Sequence, residues 1–115
     1  MNSLPEDIMK KLQEDYLVSF VQKIETMREA HARGDTLSVR QVFHKLAGTG
    51  ATYLMPEITT LGRAAEDYIE KTKSVDSGLL LKAIDLMGEI YKKRSLGSEL
   101  KIENHPLITE LTARK

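Results

Sequence analysis

The chain has 115 residues, of which 41% are apolar and 30% charged, enough for one domain with a modest core and too few for two. Its 17 Lys and Arg balance 17 Asp and Glu, so neither nucleic acid nor an anionic membrane is an expected partner, because both reward a basic excess. The absence of cysteine excludes disulfides and thiolate metal sites, and the lack of Trp with few aromatics argues against a base-stacking surface.

No apolar run approaches the roughly 18 residues a membrane span needs. Met1 to Lys11 mixes acids, bases and a proline, unlike a secretory leader, so a cytoplasmic protein is expected. The Met at position 1 and the short length suggest a standalone protein, although a piece of a larger kinase would look similar.

Helical periodicity runs through nearly the whole chain, and no stretch alternates like a strand. Ser3 is a candidate N-cap with Pro5 in the first turn. Ile8, Leu12, Tyr16, Leu17, Phe20, Ile24 and Met27 then recur at three- and four-residue steps. One long helix, or a short one followed by a long one, fits that spacing. His31-Ala32-Arg33-Gly34 closes it with a basic last turn and a glycine cap.

Asp35 or Thr36 caps the next helix, which turns Val39, Val42, Phe43, Leu46, Gly50 and Tyr53 towards a core. Pro56 starts a third helix carrying Ile58, Leu61, Ala65, Tyr68 and Ile69. Ser74 to Gly78 is a break, after which Leu80, Ile84, Met87, Ile90 and Tyr91 mark a fourth helix. Ser95 to Asn104 interrupts the pattern, and Pro106 to Lys115 suits a short terminal helix.

The expected fold is therefore all-α: an antiparallel up-down four-helix bundle over residues 1–95, with a short N-terminal helix, and a C-terminal extension over 96–115. Such a fold does not by itself define a function.

Position 44 is more informative. At about 100° per residue, the apolar stripe of Val39, Val42, Leu46 and Tyr53 lies nearly opposite His44, which then faces solvent. The outer strip beside it holds Leu37, Arg40, Gln41, Ala47, Gly48 and Ala51, unusually bare for an exposed helix face. A glycine inside a helix costs about 0.5–1 kcal/mol relative to alanine. Gly50, on the core side, is explained by close helix packing. Gly48, on the outside, is explained by clearance for something that must approach the imidazole. A neutral imidazole is a competent nucleophile, and attack through one ring nitrogen requires the other to carry the hydrogen, ideally donated to a carboxylate or amide. The bland alternative is a surface histidine without a role.

The run Phe43-His44-Lys45-Leu46-Ala47-Gly48-Thr49-Gly50-Ala51 resembles the signature of histidine phosphotransfer (HPt) domains, in which the accepting histidine is followed by an apolar residue, a lysine, a glycine and small residues. Ile58, Leu61, Ala65 and Ile69 resemble the family's next helix, and the likeness spans about Pro5 to Arg94. The resemblance implies that His44 is the phospho-acceptor and that Glu66 orients its imidazole. Otherwise Glu66 is an ordinary surface acid paired with Arg63.

Two positions depart from the pattern: the lysine three residues after the histidine is Ala47, and the glycine ten residues after it is Leu54. Lys45 is then a candidate phosphate contact, with Arg40 or Arg63 as substitutes. The resemblance further implies a phosphocarrier without turnover catalysis of its own. It would be a monomer that exchanges a phosphoryl group with the aspartate of a response-regulator receiver domain and, upstream, with a hybrid sensor histidine kinase.

No metal site or stably bound cofactor is expected in the chain; Mg2+ would come with the receiver. Leu37, Arg40, Gln41, Ala47, Ala51 and Met55 would form the docking face around His44. Three other readings compete: a phosphorylation-inactive HPt-like interaction module, favoured by Ala47; a metal-binding bundle, disfavoured by the spacing of His31, His44 and His105; and an adaptor recruiting partners through Leu107 to Leu111. Replacing Gly48 with a bulky residue should leave the fold intact and block phosphoryl transfer; unchanged transfer kinetics would refute the clearance argument.

Overall fold

The computed structural model describes residues 5–113, which form helices joined by short connections. In chain order these are α1 (Glu6–Ala32), α2 (Thr36–Thr49), a 3-10 turn (Ala51–Tyr53), α3 (Pro56–Lys71), α4 (Ser77–Ser95) and α5 (Pro106–Ala113). The fold is all-helical, with no strand among the described residues. No helix there is long and apolar enough to cross a membrane.

Each start and stop has a local cause. α1 begins directly after Pro5, whose fixed φ suits a helix entry and whose missing N–H is not needed there. Ser3 lies outside the described residues. α1 runs unbroken for 27 residues, so among the described residues it replaces the separate short N-terminal helix expected from the sequence. Gly34, at φ 73°, reverses the chain. Asp35 then accepts a hydrogen bond from the Ser38 amide and caps α2. Bonds from the Ser38 hydroxyl and amide hold the Asp35 carboxyl below the usual aspartate range. Asp76 caps α4 through the Leu79 amide, and His105 Nδ1 accepts from the Leu107 amide at the start of α5.

α2 was expected to continue to Tyr53, but it ends at Thr49 and gives way to the 3-10 turn. The cause is contact with α3. A Cβ at Gly50 would lie 2.8 Å from Ile58 Cβ and 2.8 Å from the Thr59 amide nitrogen. Thr59 Oγ1 accepts from the Ala51 amide at 2.9 Å, which turns the chain into α3. The turn closes at Leu54, which sits at φ 61°, a left-handed conformation that is costly for a residue with a Cβ. Gln13 donates to the Tyr53 carbonyl at 2.7 Å and so ties this turn to α1.

Helices α1 and α4 are joined by Arg28–Asp85, by His31 against Ser77 and by the stacked rings of Phe20 and Tyr91. α1 meets α2 where Tyr16 and Thr49 share a hydrogen bond of 2.8 Å. Thr49 spends its own proton on the Lys45 carbonyl, so Tyr16 is the donor. Burial raises the Tyr16 phenol above its ordinary value. α3 meets α4 through the Tyr68 hydroxyl, which accepts a hydrogen bond from the Asp76 amide at 2.7 Å, and through a bidentate pair in which Arg94 Nε and Nη2 donate to Glu57 at 2.5 and 2.8 Å. α5 packs on α3 and α4.

The core contains Phe20, Met27, Phe43, Leu46, Ile58, Leu61, Tyr68, Ile84, Met87 and Ile90, and the extension adds Ile102, Leu107 and Leu111. Periodicity placed most of these correctly. Ile8 and Leu12 are instead exposed on the first turns of α1.

The tightest approach is between α2 and α3. A Cβ at Gly62 would fall 2.9 Å from both the Ala47 nitrogen and the Phe43 oxygen, and both of those are backbone atoms. Gly62→Ala should therefore cost about 1–3 kcal/mol, the usual range for overpacking. Chemical denaturation reads this directly, and a variant as stable as the parent would contradict the close approach.

Candidate functional site

The site grows out of that approach. With Gly62 against Phe43 and Ala47, the next turn of α3 carries Glu66 to the adjoining turn of α2, and the turn after that carries Glu70 to Arg40. Glu66 Oε2 lies 2.7 Å from His44 Nδ1. A carboxylate only accepts, so Nδ1 bears the hydrogen, and in the neutral ring Nε2 then presents its lone pair. Nε2 makes no hydrogen bond among the described residues, and the His44 side chain is 69% exposed while that of Glu66 is only 14% exposed. One ring nitrogen is thus fixed by the fold and the other faces solvent.

Gly48 follows one turn later on the same face and is exposed, with nothing within 4 Å of a Cβ built on it. The fold therefore gives no packing reason for a glycine there. Arg40 Nη1 binds Glu70 Oε1 at 2.8 Å and lies 3.7 Å from Glu66 Oε2. Gln41 and Lys45 complete a shallow hollow with Arg40, His44, Glu66 and Glu70.

Of the remaining docking candidates, Leu37 and Ala51 are exposed. Two are not. Ala47 is 7% exposed, because it packs against Gly62, and Met55 is 2% exposed in the core beneath the turn. The wheel put Ala47 outside because it could not see how closely α3 approaches that flank. Neither residue is available to touch a partner. Glu66 binds His44 and Arg40; the expected alternative pairing with Arg63 is not what holds it.

The other two histidines are used differently. His31 Nε2 contacts the Ser77 carbonyl at 2.8 Å, and His105 caps α5. No group of three or more acidic or histidine side chains among the described residues could hold a metal ion.

Sequence reasoning missed Gly62 and Glu70, and each left a faint signal. Gly62 is a glycine in mid-helix, and Glu70 stands one turn after Glu66 on the same face. Comparison of the chain with family models, with curated proteins and with solved structures finds no match in any of the three.

If Glu66 sets the imidazole, neutral His44 should populate the Nδ1–H tautomer, whereas free imidazole side chains favour Nε2–H. Long-range proton–nitrogen NMR correlations should show that tautomer in the parent and its loss in Glu66→Ala. The same tautomer in both proteins would mean that the carboxylate does not orient the ring.

Proposed function

We propose that this chain is a histidine phosphotransfer protein that carries a phosphoryl group on His44 Nε2 to or from the aspartate of a response-regulator receiver domain. The observation that carries the reading is the pairing of Nδ1 with Glu66 at 2.7 Å while Nε2 stands open beside Gly48. In the transfer, the Nε2 lone pair attacks phosphorus of the receiver's aspartyl phosphate. The N–P bond forms as the P–O bond breaks, and the aspartate leaves as a carboxylate. The ring acquires positive charge, and Glu66, already bound to Nδ1–H, offsets it. Magnesium and the acceptor aspartate are assigned to the receiver.

The fold suits this role when the four long helices are read as an antiparallel up-down bundle. Supporting that reading, α1 neighbours α2 and α4, α3 neighbours the same two helices, and the connections are short. On this reading residues 1–95 are the carrier unit and 96–115 an extension, whose helix α5 packs on α3 and α4. The resemblance to HPt domains adds support from the His44–Gly48 run. On this reading the protein is a cytoplasmic monomer, a carrier without turnover of its own, served upstream by a hybrid sensor kinase.

A second reading, a phosphorylation-inactive module of the same shape, is favoured by one observation. Position 47 supplies no cation, and the residue is buried with its backbone against Gly62 of α3. Incubation with a panel of phosphorylated receiver domains separates the two. The carrier acquires acid-labile label that His44→Gln abolishes. Label persisting in His44→Gln would displace the site, and binding without label in the parent would establish the inactive module.

A further inference from the structure

A phosphoryl group on Nε2 brings nearly two negative charges into a hollow that already holds the carboxylates of Glu66 and Glu70. Two cations line that hollow, Arg40 and Lys45, both from α2. Their positions differ. Lys45 follows His44 by one residue and so points about 100° around the helix. Arg40 precedes His44 by one full turn on the same face, and helical side chains lean towards the N-terminus, so the His44 ring leans towards Arg40.

The guanidinium already sits 3.7 Å from the same Glu66 oxygen that binds Nδ1 at 2.7 Å. Both of its ion pairs use Nη1, whereas the group carries five N–H donors in a fork suited to phosphate. Donors therefore remain in the hollow that the imidazole also lines. The Arg40 side chain is 29% exposed and Glu70 43%, so their pair is weak enough to exchange.

From this placement we infer that Arg40 is the residue that binds the phosphoryl oxygens on His44 Nε2, and that Glu70 is a positioning residue that holds Arg40 while His44 is unmodified. When the phosphoryl group arrives, the guanidinium trades a single carboxylate for a dianion. Its departure from Glu66 also leaves that carboxylate wholly to the imidazolium. This assignment deepens the phosphotransfer reading, yet it can be tested without any receiver domain.

Phosphoramidate serves as the phosphoryl donor to the full chain. The Nε2 lone pair forms the N–P bond as the donor's P–N bond breaks and ammonia leaves. Subtraction of His44→Gln isolates the His44 signal in phosphorus NMR. The readout is the pH midpoint of the phosphohistidine's phosphorus shift, which a neighbouring cation lowers and a neighbouring carboxylate raises.

Arg40→Gln should raise the midpoint by about half a unit or more, with Arg40→Lys partly restoring it. Glu70→Gln should lower it, and that lowering should shrink by half or more in the Arg40→Gln background. An unchanged midpoint in Arg40→Gln overturns the phosphoryl contact. An equal effect of Glu70→Gln in both backgrounds overturns the positioning role, leaving only through-space charge. Failure of the reagent to label His44 overturns the open nitrogen itself. Failure of receivers to exchange phosphate with a protein whose midpoints shift as expected would reject the carrier reading and leave the Arg40 assignment standing.

Discussion

Where α3 crosses α2 there is no room for a side chain at position 62, and the backbones meet at van der Waals distance across Phe43, Ala47 and Gly62. That closeness decides what the next two turns can reach. A Cβ there would push the helices apart by some tenths of an ångström, and the Glu66 to His44 hydrogen bond, at 2.7 Å, has little slack. Gly50 repeats the constraint at the end of α2, where Ile58 and Thr59 press against it. Two glycines with no chemistry of their own thus fix the distance between the His44 imidazole and its carboxylate.

The histidines show how much the surroundings decide. All three are the same side chain, yet His31 clasps the start of α4 and His105 caps α5 through Nδ1. Only His44 has one nitrogen fixed by a buried-flank carboxylate and the other turned to solvent. The proposed chemistry asks for that division, because a nucleophilic nitrogen must be unprotonated while its partner carries the hydrogen. The small residues nearby serve two ends, since Gly48 leaves open space and Ala47 fills a contact.

Periodicity alone made four long helices, their order and most of the core legible, because burying an apolar stripe at a 3.6-residue period leaves a mark in sequence. The outward position of His44 was legible for the same reason. What was not legible depends on how two helices meet. Ala47 and Met55 read as surface because a wheel ranks a residue against its own helix, whereas their burial comes from α3 and from the fold of the turn. The end of α2 at Thr49 is a similar case, set by contact with Ile58 and Thr59 after a sequence that could have continued. The Glu57–Arg94 pair left no periodic trace, since charged residues at helix ends usually face water.

Leu54 carries a further consequence. Its left-handed backbone, at φ 61°, costs roughly 1–2 kcal/mol in a residue with a Cβ, against a net stability for ordinary domains of about 5–15 kcal/mol. Its side chain is largely exposed and recovers little of that by burial. The chain tolerates the strain because the surrounding contacts, Gln13 on the Tyr53 carbonyl and Arg94 near the Leu54 carbonyl, over-determine the bend. The protein therefore holds an unused reserve at this corner, and sequence drift towards glycine or asparagine there would be neutral or beneficial to folding without reaching the imidazole.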